Sequence, residues 1–181
     1  MCSSDLSEFS GPDHPVERVS WEEATRFCQK LTQTARDHGE LPPAWEYRLP
    51  TEAQWEYACR ADWSTPYCFG NDASNLGDYA WYEDNSDFTT KEVGKKKPNE
   101  WGLCDMHGNI WEWCSDWFHE QLTGGDDPEL TVPTSNRVVR GGCWLVVADI
   151  CRSASRSRSV PDNCFDFLGL RVALVQVDDF T

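Results

Sequence analysis

Apolar residues recur at helical spacing only twice, each time behind a residue pair that caps a helix. Ser20 is followed by Glu23, and Thr51 by Gln54; each pair exchanges side-chain and backbone bonds at a helix start. Behind Ser20, the residues Ala24, Phe27, Cys28 and Leu31 share a face, which predicts a helix over 21–36. Pro42-Pro43 forbids its continuation. Behind Thr51, Trp55 and Ala58 share a face of a shorter helix ending near Cys59. After Arg60 no helical period lasts. Turn formers (Asn71, Gly77, Asn85, Gly94, Pro98, Asn99) alternate with aromatics, giving a loop-rich middle that needs buried tryptophans or a metal to hold it. Toward the end the period becomes two. Cys151, Ser153, Ser155, Ser157 and Ser159 take one parity, and Arg152, Ala154, Arg156 and Arg158 the other, which predicts a strand. A last strand is expected over 170–174. The sum is an α+β fold with two early helices and a late, small, mostly antiparallel sheet.

Composition narrows this picture. The chain of 181 residues suffices for one domain with a sizeable core, and its 39% hydrophobic and 26% charged content is that of a soluble globular protein. A net charge of −15, from 16 basic and 31 acidic residues, repels phosphate backbones and argues against a nucleic-acid partner. No apolar run approaches the ~20 residues that span a membrane. Nine cysteines cannot all pair within one chain. Contexts such as Phe27-Cys28 and Trp113-Cys114 mark most of them as reduced core thiols, which favours a reducing compartment such as the cytoplasm. No Cys-x-x-Cys pair is present to suggest a zinc ribbon. The opening Met1-Cys2-Ser3-Ser4-Asp5-Leu6 resembles a translated sequencing adapter. Residues 1–12 are therefore set aside as an artefactual or disordered start, 13–176 form the domain, and 177–181 a tail.

Four segments match one family in order. They are His14-Pro15-Val16 running to Ser20-Trp21-Glu22-Glu23-Ala24; Arg48-Leu49-Pro50-Thr51-Glu52-Ala53-Gln54-Trp55-Glu56-Tyr57-Ala58; Asn99-Glu100-Trp101-Gly102-Leu103-Cys104-Asp105-Met106-His107-Gly108-Asn109-Ile110-Trp111-Glu112-Trp113; and Arg140-Gly141-Gly142 through Gly169-Leu170-Arg171-Val172-Ala173. The chain resembles the formylglycine-generating-enzyme (sulfatase-modifying-factor) domain over about 13–174. That resemblance implies a variant of the C-type lectin fold. The family's domain usually begins several dozen residues earlier, so the resemblance also implies that its first strands are missing here.

The resemblance brings a test of chemistry. Family oxidases convert a substrate cysteine to formylglycine with two cysteines, four residues apart, in the loop after a Gly-Gly-Ser motif. Their thiolates capture Cu(I), which activates oxygen. The first thiol falls three residues after the serine. Here Cys143 holds the serine position and Val146 the first thiol's. Counted forward from Gly141-Gly142, Cys151 takes the second thiol's position. Counted back from Arg152-x-Ala154-x-Arg156, the oxidases carry three more residues and Cys151 falls outside the pair. Either way one thiol is missing, which argues against copper and against oxidase activity. Cys143 and Cys151 as a shifted pair is the arrangement that restores the enzyme. The resemblance also implies a structural Ca²⁺ held by Asp105, the carbonyls of Gly108 and Ile110, and Glu112, all hard oxygen donors. His107 reads as a packing residue, and His14, His38 and His119 have no spaced partner.

Between the family's fixed letters near the C-terminus lie Leu145, Val146, Val147, Asp149, Ile150, Ser155, Ser157, Cys164, Phe165, Asp166 and Phe167. Relatives with this tail are asparagine-rich at such positions, and retroelements that diversify C-type-lectin-like proteins mutate adenines. An AAC codon so randomised yields every residue except Trp, Gln, Lys, Glu and Met, and none of these occurs here. Two readings of function stand. The favoured one is a non-catalytic domain, retroelement-diversified, that binds a protein or small-molecule ligand over the 143–167 surface. Its candidate contacts are Trp144, Leu145, Val147, Asp149, Ile150, Ser155, Ser157, Phe165, Asp166 and Phe167. The bland counter-reading buries the aliphatic ones. The second reading is a formylglycine-generating oxidase with an altered thiol pair.

Overall fold

The computed structural model describes residues 11–177, so the expectations for the 1–12 start and the 177–181 tail lie largely outside the described residues. Both helices form where their caps predict. Helix α1 spans Trp21–Asp37; Ser20 Oγ accepts from Glu23 N at 3.2 Å, and the Glu23 carboxylate accepts from Ser20 N at 2.9 Å. Helix α2, Glu52–Arg60, repeats the device with Thr51 and Gln54 at 3.0 and 3.1 Å. It stops at Ala61, whose φ of 45° leaves the helical region.

The face that α1 buries differs from the expected stripe. Ala24, Cys28, Thr32 and Ala35 are buried, while Phe27 is exposed. Small residues let the helix approach strand β1 (Trp45–Arg48) closely: Thr32 Oγ accepts from Tyr47 N at 2.8 Å and donates to Cys28 O at 3.0 Å. Phe27 turns instead onto the wall of an apolar cavity of about 980 Å³.

Strand β2 (Trp111–Trp117) is central to a four-stranded sheet of order β4-β3-β2-β5, with β3 at Arg137–Arg140, β4 at Arg156–Ser159 and β5 at Leu168–Leu170. The β2–β3 and β3–β4 pairs are antiparallel. The sheet is mostly antiparallel, as expected; the exception is β5, which runs parallel to β2 with Leu168 opposite Trp111. Strand β6 (Ala173–Gln176) leaves this sheet and pairs with β1.

Both late strands break where arginines turn inward. The alternating run expected over 151–159 forms a strand only at its end. Ahead of β4 the chain makes a short 3-10 turn, Ala148–Cys151, and a tight bend closed by Ser155 N to Arg152 O at 2.9 Å. Fully buried Arg140 takes the carbonyls of Ser153 and Ser155 there. The strand expected over 170–174 is split between β5 and β6, because Arg171 swings in to Glu112 and to Cys104 O.

Tryptophans fill the core, and the indole N–H groups of three of them find acceptors on distant segments, whereas the buried Trp81 Nε1 has no hydrogen-bond partner. Trp113 donates to Val19 O (3.0 Å), Trp55 to Glu112 (2.7 Å), and Trp21 to Cys114 O (2.9 Å). Charges tie α2 to the sheet. Glu52 accepts from Arg156 through both oxygens at 2.7 and 2.8 Å, and Glu56 pairs with Arg140. Among the described residues no helix is long and apolar enough to cross a membrane.

Candidate functional site

Trp144 organises the surface at 143–167. The chain reaches it through Gly141 and Gly142, both at positive φ; a Cβ on Gly142 would meet Cys151 Sγ at 2.8 Å, so only glycine fits. Trp144 N donates to Asn109 O at 2.9 Å, and its indole N–H reaches Asp166 O at 3.4 Å. Its own carbonyl accepts from Ser86 Oγ at 2.8 Å. Trp144 itself is buried, so it supports the surface from beneath rather than contacting a ligand directly.

Around that platform the other candidates divide. Leu145, Val147, Asp149 and Ile150 are exposed on one loop, Val147 by 53%, which sets aside the reading that buries them. Val146 points the other way, into the packing around Tyr67 and Leu76. Phe165 and Phe167 stack at 4.9 Å with 14° between ring planes; Phe165 is 41% exposed, Phe167 is half-buried against the core, and Asp166 lies between them. Ser155 Oγ donates to Asp149 O at 3.2 Å and so belongs to the loop. Ser157 stands in β4 opposite Val139, half-buried.

The thiols of Cys143 and Cys151 are buried and free, and burial pushes each up to about 12. Cys28, Cys59, Cys68, Cys104 and Cys114 are free as well, whereas Cys164 is disulfide-bonded. The position that the resemblance gives to the oxidases' first copper thiol holds the hydrocarbon side chain of Val146, which has no donor atom. His107 is a packing residue. Its Nδ1 lies 2.7 Å from Cys151 O, and Nε2 accepts from Cys68 N at 3.2 Å, so the ring is neutral with its proton on Nδ1. Burial holds its pKa down at about 4.

The oxygen set expected for calcium is partly engaged. Asp105 Oδ2 accepts from Gly94 N at 2.7 Å, but its buried Oδ1 has no hydrogen-bond partner, and desolvation raises the carboxyl's pKa. Glu112 gives both oxygens to Arg171 at 2.8 Å and one of them also to Trp55. Positive φ at Asp105, Gly108 and Asn109 curls the backbone between them. A Cβ on Gly108 would fall 2.2 Å from Trp81 O, so the turn admits glycine alone.

The sequence profile of the sulfatase-modifying factor enzyme 1-like domain matches residues 3–175. The chain belongs to that family. The formylglycine-generating enzyme of Streptomyces coelicolor is 34% identical over 186 residues, covering 92% of this chain and 55% of its own. That of Bos taurus is 32% identical over 179 residues, covering 90% and 44%. The chain thus spans about half the length of the curated relatives it matches. In structure it resembles Treponema denticola variable protein 1, with a TM-score of 0.86 at 31% identity, covering 96% of this chain and 78% of the other. The α+β, C-type-lectin-like architecture expected of the sulfatase-modifying-factor family is therefore the one adopted.

Two participants gave no signal in the sequence. Arg171 satisfies Glu112 across the sheet, visible beforehand only as one letter of a motif. The 82–90 segment backs the loop through Ser86 and through Glu83 N, which donates to Val146 O at 3.1 Å. It places Asp87 and Phe88 at positive φ without a glycine to announce the turn.

Proposed function

We propose that this sulfatase-modifying-factor domain is non-catalytic and binds a ligand, protein or small molecule, on the 143–167 surface. The observation that carries the reading is Val146. It stands where the oxidases need a thiolate, and its side chain packs inward against Tyr67 and Leu76. A surface of exposed Leu145, Val147, Ile150 and Phe165 remains where catalysis would have been, and exposed apolar groups of this extent favour binding. The acidic balance disfavours nucleic acid as the ligand. The surface reads as retroelement-diversified; the residue set at 145–167 and the likeness to a protein named variable support this. A near-identical template repeat with adenines at these codons, beside a reverse transcriptase gene, is the expected genomic setting, and its absence removes diversification from the reading.

Oxygen consumption with a cysteine-containing sulfatase peptide tests catalysis directly. No turnover and no tight one-to-one Cu(I) binding are expected. Turnover abolished by changing Cys143 or Cys151 would instead establish the oxidase. For the loop at 105–112 we propose a structural Ca²⁺ held by Asp105 Oδ1 and the carbonyls of Gly108 and Ile110, with Glu112 giving up an Arg171 bond to join them. The ion would supply positive charge to the buried Asp105 Oδ1, which otherwise has no hydrogen-bond partner.

A further inference from the structure

We infer that the binding surface extends across the 82–90 segment, that Phe88 is a fixed contact on it, and that its ligand is a protein presenting lysine or arginine beside apolar side chains. This deepens the binding reading above and rests on it. Phe88 adopts φ 56° directly after Asp87 at 53°, a region that bulky residues avoid. Its side chain is nevertheless 64% exposed, so core packing does not repay the conformation. Strain kept at an exposed aromatic is the signature of a presented contact. The segment is held at both ends. Phe88 N donates to Ser86 Oγ at 3.3 Å, and that hydroxyl reaches Trp144 O. Beyond it, Lys91 N and O bond the side chain of Asn109, each at 3.0 Å. Trp144 thus carries Phe88 on its carbonyl side and the Phe165–Phe167 stack on its indole side, with exposed Leu145 next in sequence.

Shape and charge choose the ligand class. The cavities of about 570 and 980 Å³ are lined by other parts of the fold, with no residue of 143–167. Phe88, Leu145, Val147, Ile150 and Phe165 are exposed side chains, which suits a protein face better than an enclosed small molecule. Asp84, Asp87, Asp149 and Asp166 stand along it. Lys91 pairs with Asp87 (3.0 Å) and Arg152 with Asp149 (2.9 Å), so Asp84 and Asp166 carry the negative charge that remains. At a net charge of −15, a second copy of this chain is repelled and a basic protein surface is attracted.

The test is selection of phage-displayed random peptides on the full chain, followed by titration of the enriched peptide against variants. Enrichment of lysine or arginine interleaved with apolar residues is expected, with affinity falling as salt rises. Phe88→Gly is expected to weaken the peptide by roughly tenfold or more while the melting temperature holds or rises, because glycine relieves the positive φ. A merely structural Phe88 would lower stability and leave affinity unchanged, and that result overturns the inference. So does enrichment of acidic or uncharged peptides, or no enrichment over an unrelated acidic protein. Phe165→Ser separates the two readings. Loss of binding with Phe165→Ser but not with Phe88→Gly keeps the 143–167 surface and removes its extension. Binding unaffected by either change removes both.

Discussion

Cys143 and Cys151 sit where solvent does not reach, and burial, before any neighbouring charge, keeps their protons on. A thiol near 12 reacts slowly, since the thiolate is the nucleophile. Native protein at neutral pH is expected to leave both unlabelled by iodoacetamide while urea-unfolded protein labels fully, as read by peptide mass spectrometry. Fast native labelling of either would count against the buried placement. The sign of the stability effect follows. Folded values lie above the ordinary thiol value of 9.0, so the contribution is complete below 9 and is lost as pH rises from there toward about 12. Gly108 makes a second single-residue case. At φ +86° and 2.2 Å from Trp81 O, an added methyl has neither a conformation nor a space, and Gly108→Ala is expected to cost about 4 kcal/mol or prevent folding, measured by urea denaturation.

Between elements, the ties are ionic. Glu52 is buried and receives Arg156 through both oxygens, with Arg140 at 3.5 Å. Removing one partner of such a network strands the other charges, so Glu52→Ala is expected to lose about 3 kcal/mol, read from the shift of the urea midpoint. A smaller loss than Phe118→Ala at the same site would argue that packing, not charge, fixes α2. The same arginines explain what could be read from the sequence and what could not. Ser20 with Glu23 and Thr51 with Gln54 are local devices, and both helices begin where these pairs stand. Arg140, Arg156 and Arg171 act across more than fifty residues each, on Glu56, Glu52 and Glu112. Periodicity cannot report such partners, so the run at 151–159 and the strand at 170–174 looked continuous. At the site, Leu145, Val147 and Phe165 were legible as interstitial positions, whereas Phe88 was not, because nothing in Asp87-Phe88-Thr89 encodes its backbone.

For the molecule as a whole, calcium is the simplest probe. Saturating Ca²⁺ is expected to raise Tm by roughly 5–10 °C over a chelated sample, and Asp105→Ala is expected to abolish the difference. No shift in the unaltered protein would remove the ion from the account of its fold. The order in which the sheets close carries a further consequence. The neighbour of β2 on one side is β5, and the partner of β1 is β6, so both early elements wait for the last strands of the chain. During synthesis the chain through β2 leaves the ribosome with both flanks of that strand uncovered, and long-range pairing of this kind forms late. The residues of the 143–167 surface are therefore translated before the sheet beneath them is complete. An alteration at 143–167 that keeps β5 and β6 from docking therefore leaves a bare strand edge open to proteases.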